Sequence, residues 1–171
     1  MENGIDFKHI EPGKISDNAF KIIGEDWMLI TAGKEDSFNT MTASWGGMGI
    51  LWHKPVSFAF VRPSRYTYEF MEKDNIFTLS FFEEKYRDAL NILGSKSGRD
   101  GDKISETGLT PAAVDHGAVT FKEARLVIVG KKLYYQDLNP DHFLEPGIAA
   151  HYPKKDYHRM YVGEIISALS R

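Results

Sequence analysis

Alternation of apolar and polar positions dominates the chain from its second quarter onward. Val56-Ser57-Phe58-Ala59-Phe60-Val61 puts Val56, Phe58 and Phe60 on one side of an extended segment, and Phe77, Leu79 and Phe81 repeat the pattern. A period of two marks a strand with one buried face, so both segments read as half-buried strands. Trp27–Ala32 and Phe38–Ser44 are β-prone runs on either side of Gly33-Lys34-Glu35-Asp36, the composition of a hairpin turn. Ala124–Tyr135 is the longest strand candidate, and Tyr161–Leu169 makes a last one after a stretch broken by proline. Helical spacing is rarer. Tyr86, Ala89, Leu90 and Leu93 follow i, i+3, i+4, i+7, with Gly94 where a left-handed C-cap is expected. Tyr66–Lys73 reads as a shorter helix, and Gly101–Glu106 as a third behind an Asp100 or Asp102 cap. Strands outnumber helices, and closing the sheet removes exposed edges, which predicts a mainly β fold: a small antiparallel barrel with peripheral helices.

Composition narrows the chemistry. The 171 residues, 42% hydrophobic and 26% charged, suit one soluble domain spanning 1–171 with its core at about 20–170. There is no cysteine, which removes disulfides, thiolate nucleophiles and thiolate-held metals, so any redox chemistry needs a bound cofactor. Met1–Phe20 is studded with charge and lacks a signal-peptide core, which points to the cytoplasm. No apolar run approaches the roughly 20 residues of a membrane span. A net charge of −3 argues against a nucleic-acid partner.

The segment 39–67 carries the most chemistry. Pro63 biases Arg62 toward extended backbone, so the chain turns there from strand to helix. Ser64 and Thr67 then flank a helix N-terminus whose free N–H groups, with the Arg62 and Arg65 guanidinium forks, suit a phosphate monoester. The competing reading is that both arginines pair with Glu69 and Glu72. Upstream, Thr40, Thr42 and Ser44 alternate to one face of a strand end that runs into a glycine-rich turn containing Trp45. Small side chains there admit a flat ring, and Trp45 can stack on it, whereas Trp52 is expected in the core. Gly46, Gly47 and Gly49 lack the dinucleotide spacing, Gly94–Arg99 is no P-loop, and Thr42-Ala43-Ser44-Trp45-Gly46 fails as a nucleophile elbow. The six histidines form no metal-binding pair, so no metal site is expected.

Taken in order, these segments resemble the flavin reductase-like family of FMN-binding split barrels, which includes the flavoredoxins. The resemblance rests on Asn39–Trp45, Lys54-Pro55-Val56, the Arg-x-x-Arg-Tyr-Thr run of Arg62–Thr67, Ser97-Gly98-Arg99-Asp100 with Asp102-Lys103-Ile104, and Thr107-Gly108-Leu109-Thr110. Ile104 stands where the family pattern has phenylalanine, a conservative apolar change. The resemblance implies an antiparallel, Greek-key-like split β-barrel and a homodimer with FMN near the subunit interface. It further implies that Asn39, Thr40, Met41, Thr42, Ala43, Ser44 and Trp45 border the isoalloxazine and ribityl chain. Arg62, Ser64, Arg65, Tyr66 and Thr67 would serve the phosphate, and Lys103 and His142 would approach the flavin from later segments. The implied activity passes electrons from NADH or NADPH through FMN to a flavin or protein acceptor, with chemistry on the flavin and no side-chain acid or base. The alternatives are a flavoredoxin-type carrier without direct NAD(P)H use, a non-catalytic flavin- or heme-binding barrel, and a pyridoxamine-phosphate-oxidase-like enzyme, which would need a second phosphate site.

Overall fold

A computed structural model describes residues 6–171; the first five residues of the charged N-terminal stretch, and of the expected domain span, lie outside it. In chain order the elements are β1 (Lys8–His9), a π-helical turn (Lys21–Glu25), β2 (Met28–Lys34), β3 (Ser37–Ala43), β4 (Gly46–Leu51), β5 (Lys54–Val61) and α1 (Tyr66–Lys73). Then come β6 (Ile76–Phe81), α2 (Arg87–Ser95), β7 (Pro111–Ala113), β8 (Val119–Phe121), β9 (Leu126–Asp137) and β10 (Arg159–Ser170).

Eight strands form one antiparallel sheet in the order β3-β2-β6-β9-β10-β5-β4, with β1 added to β10, while β7 and β8 pair separately. The two ends of that path, β3 and β4, are joined by Ser44 and Trp45 alone, so the sheet curls back on itself at that corner. The expected mainly β barrel is therefore the fold. Its interior is filled by Met28, Ile30, Phe77, Leu79, Val61, Ile128 and Tyr161. A second apolar cluster, including Leu29, Leu90, Leu93, Phe121 and Val127, seals α2 against the outside of the sheet.

Several local expectations are corrected. The segment read as a glycine-rich turn is strand β4, hairpinned to β5. The reversal falls at Trp52 and His53, both with positive φ (51° and 58°), the conformation that keeps a two-residue turn in step with strand twist. Trp52 accordingly lies 55% exposed rather than in the core, its ring edge-on to Tyr134 at 6.2 Å. On β5 the fully buried positions after Val56 are Ser57, Ala59 and Val61, while Phe58 and Phe60 are only half-buried on the opposite face. Strand β6 is buried on both faces, because Thr78 and Ser80 bond to Val119 O and Thr120 beneath β8. Gly94 sits inside α2 rather than past its end; a Cβ there would press on Thr42 Cβ at 3.2 Å, so the glycine lets helix and strand close together. Residues 101–106 form turns and no helix. Asp102 Oδ1 accepts from the N–H groups of Ile104 and Ser105, a local arrangement that competes with helix formation.

Candidate functional site

The corner between β3 and β4 is where the sheet opens. Along β3 a groove runs from the N-terminus of α1 to Trp45. Its narrow end, about 90 Å³, lies among Asn39, Ser64, Arg65, Thr67, Gly98 and Lys103. Its wider end, about 220 Å³, lies among Thr42, Ser44, Trp45, Phe60, Arg62 and His158. Met41 and Arg65 line both ends, so the two spaces adjoin.

The narrow end is built for an anion. Lys103 is 5% exposed, and its ammonium donates to Leu93 O (2.9 Å) and Lys96 O (3.1 Å), leaving one N–H of its three uncommitted. Burial, helped by the neighbouring Arg65 charge, lowers its pKa to about 8, the condition of a cation short of a counter-charge. Arg65 is lowered as well, first by burial and then by Arg62; it donates from Nη2 to Gly94 O (2.8 Å). Among the described residues no side chain caps α1, whose first residues Tyr66 and Thr67 line this end. Asn39 donates from Nδ2 to Thr67 Oγ1 (2.7 Å), and a Cβ on Gly98 would overlap Asn39 Oδ1, so the wall is closed by bare backbone. A buried cation with a free N–H, helix N–H groups and a glycine wall fit a phosphate monoester.

The wide end is aromatic. Trp45, 43% exposed, meets His158 and His151 at ring-centroid distances of 5.1 and 5.4 Å. His158 is 7% exposed, its Nδ1 bonded to the Tyr152 hydroxyl at 2.8 Å. Burial and then the nearby Arg62 charge lower its pKa to about 4, against a smaller opposing pull from Asp156, so the ring is neutral at pH 7. Tyr152 in turn lies under the Arg62 guanidinium, 4.8 Å from its ring centroid. Small Ala43 and Ser44 at the strand end line the space beside these rings and leave it open to a planar group.

Every residue expected at the site lines this groove except Thr40 and His142. Thr40 is fully buried, its hydroxyl 2.9 Å from that of Thr31, because β3 turns that face into the sheet. His142 sits in an exposed 3-10 turn after Asn139, and nothing brings it to the groove. The roles of the two arginines also differ from expectation. Arg62 donates to Asp156 Oδ1 (2.9 Å) and to His151 O (2.9 Å), and Ser64 Oγ donates to Asp156 Oδ2 (3.0 Å). Both are committed to fastening the 138–158 connection over the wide end. The alternative partners are taken elsewhere: Arg99 pairs with Glu69 and Arg159 with Glu72.

That fastening is testable. The Arg62 and Asp156 side chains are 25% and 19% exposed, so removing either strands the other in a poorly solvated place. Arg62→Ala and Asp156→Ala should each lower stability by about 1–3 kcal/mol, and the double variant by clearly less than their sum. Urea denaturation of the four proteins measures the coupling; additive losses would mean that the pair acts as two independent surface groups.

His158 and Phe60 escaped the sequence reading. The antiparallel pairing of Arg159 with Val61 sets His158 beside Arg62, and that register is a property of the folded sheet. The folded state keeps His158 neutral, so between pH 6.5 and about 4 the unfolded chain binds more protons than the folded one. Stability conferred at neutral pH should therefore fall by about 2–3 kcal/mol as the pH drops through that window. His158→Gln should flatten this limb, measured as the difference in urea midpoints between pH 7 and pH 4.5; an unchanged pH dependence would place the acid sensitivity elsewhere.

A comparison with family models matches residues 22–168 to the flavin reductase like domain. No curated protein sequence matches the chain. Among solved structures, a flavin reductases-like FMN-binding domain from Shewanella baltica superposes with a TM-score of 0.70 at 18% identity, covering 96% of this chain and 77% of its own. Flavoredoxin of Desulfovibrio vulgaris (Miyazaki F) gives 0.66 at 24%, covering 85% and 69%. A split-barrel-domain protein from Shewanella frigidimarina gives 0.65 at 20%, covering 88% and 71%. These likenesses establish the split-barrel fold, and with the match over residues 22–168 the chain belongs to the flavin reductase-like domain family.

Proposed function

We propose that the groove along β3 binds FMN, with the phosphate at Lys103, Arg65 and the start of α1 and the isoalloxazine against Trp45 and His158 at the wide end. The observation that carries the reading is that a buried cationic end and an aromatic end adjoin along one strand, with Met41 and Arg65 lining both. The FMN-binding domain named above and the flavoredoxins support it by family and fold.

In this reading the chain is an oxidoreductase that takes electrons from NADH or NADPH and passes them to a flavin or protein acceptor. FMN supplies the hydride and electron chemistry when bound. The protein's own contribution is positional. Lys103 and Arg65 neutralise the phosphate, Asn39 holds Thr67 in place, and Trp45 with Phe60 excludes water from one side of the ring. His158, fixed by Tyr152, presents a neutral imidazole to the same space, a hydrogen-bonding edge that carries no charge of its own at pH 7. Ile50 and Trp52, exposed apolar residues at the β4–β5 turn, suit a homodimer contact at that end of the hairpin. We place this dimer in the cytoplasm, without membrane or nucleic-acid partners.

The test is an absorbance spectrum of the purified chain reconstituted with FMN, then followed anaerobically as NADH or NADPH is added. Retained flavin bands that bleach support the reductase. Likeness to the flavoredoxins favours a second reading, an FMN electron carrier, which predicts a yellow protein that nicotinamide leaves oxidised. Failure to bind flavin at all would sink both.

A further inference from the structure

A second cavity opens on the other side of Trp45. Phe20, Ile23, Met48, Phe60 and Trp45 wall it, Gly46 lies at its base, and it encloses about 520 Å³. Ser44, Trp45 and Phe60 line both this cavity and the wide end of the groove, so the two spaces adjoin along one aromatic partition.

Its chemistry is unlike that of the groove. The lining contains no Asp, Glu, Lys, Arg or His. A charged ligand would therefore lose its hydration there without gaining a counter-charge, whereas a neutral ring would lose little. Gly46 has no room for a side chain on its packed side: a Cβ there would lie 2.9 Å from both buried Met28 Cε and Phe58 O. At the rim Phe20 is 90% exposed, immediately before the π-helical turn, leaving an aromatic ring in water with nothing among the described residues to cover it. Uncharged, largely apolar walls and an exposed aromatic rim suit a neutral ring.

We propose that this cavity is a further acceptor site and that its occupant is a neutral quinone. The proposal rests on reading the adjoining groove as the FMN site, which puts donor and acceptor on the two sides of Trp45 and Phe60. The balanced conversion is NAD(P)H + H⁺ + quinone giving NAD(P)⁺ + hydroquinone. Two electrons and one proton leave the nicotinamide as hydride, the second proton comes from solvent, and both quinone carbonyl oxygens end as hydroxyls. A sulfonated quinone would bring a charge into this uncharged lining and should bind here far more weakly.

Menadione and 1,4-naphthoquinone-2-sulfonate share a ring system and differ in charge, and the chain has no cysteine for either to alkylate. Gly24 lines the cavity, and a Cβ there meets nothing within 4 Å, so Gly24→Glu sets a carboxylate at the opening without a clash. Calorimetric titration of the full chain, with and without FMN, should show menadione binding at least about tenfold tighter than the sulfonate, and Gly24→Glu should weaken menadione by a similar factor. FMN affinity, followed by flavin fluorescence, should be the same in wild type and variant. Equal binding of the two quinones, or menadione binding indifferent to Gly24→Glu, overturns the proposal. So does a variant that changes only the oligomeric state by light scattering, which would assign the cavity to a second copy of the chain. Menadione binding that persists in a chain unable to bind FMN would instead remove the flavin reading on which the acceptor role depends.

Discussion

Lys103→Met weakens FMN about ten- to a hundredfold and leaves riboflavin within about twofold, the loss of one charge-assisted hydrogen bond to phosphate. The expectation follows from the state of Lys103 in the fold. Its ammonium is buried, bonded to two carbonyls and lowered to about 8, so an incoming phosphate supplies the counter-charge the site lacks. The same shift fixes a pH dependence. Above about pH 8 the free protein loses the proton from Lys103, so binding the anion must first restore it. FMN affinity should therefore decline above pH 8, approaching tenfold per unit, because one proton is taken up per phosphate bound. Riboflavin affinity should show no such limb, and Lys103→Met should abolish it for FMN. Parallel fluorescence titrations at pH 7, 8 and 9 decide the matter; equal losses for both ligands would remove the phosphate from this end of the groove.

Phe77→Ala produces the largest expected loss of stability, about 3–5 kcal/mol, because it empties the middle of the barrel. The ring of Phe77 is 1% exposed and lies over two glycines of neighbouring strands. A Cβ on Gly130 or on Gly163 would approach it to 2.6 Å, and the β9–β10 register shifts between Val162 and Gly163. The barrel thus makes room for one large ring by removing two side chains and bulging one strand. Gly163→Ala should cost about 1–3 kcal/mol through overpacking, and Phe77→Leu in the same chain should recover part of that loss. Urea denaturation of the single and double variants measures the coupling. A Gly163→Ala chain as stable as wild type would show that the ring can move aside.

Some of this was visible along the chain and some was not. The period-two runs located β5 and β6, but their buried faces were harder to read. On β5 the large Phe58 and Phe60 look inward by size, yet the interior side holds Ala59 and Val61, leaving Phe60 free to wall both the groove and the cavity beside it. Trp52 reads as core by composition but occupies a turn, because the reversal from β4 to β5 is set by strand pairing rather than by the side chain. The Arg62–Thr67 run does mark a strand-to-helix turn, as Pro63 requires. Only Arg65 of the two arginines is left facing the anion end, since Asp156, ninety-odd positions downstream, claims Arg62 and Ser64.

By itself the sequence determined the strand-rich composition, the hairpin of β2 and β3, the amphipathic α2, the need for a bound cofactor in any redox role, and the segment 39–67 as the place where chemistry gathers. These are local properties, fixed by side-chain periodicity, proline and glycine geometry, and the absence of thiols. The tertiary structure decided which cations are committed and which are spare, and it brought His158 beside Trp45. It also set Lys103 under the C-terminal end of α2 and opened an uncharged cavity behind the aromatic partition. Those outcomes depend on strand register and on the closing of the sheet between β3 and β4, which bring together residues far apart in sequence, and hydrogen-bond partners at such separations leave no periodic trace along the chain.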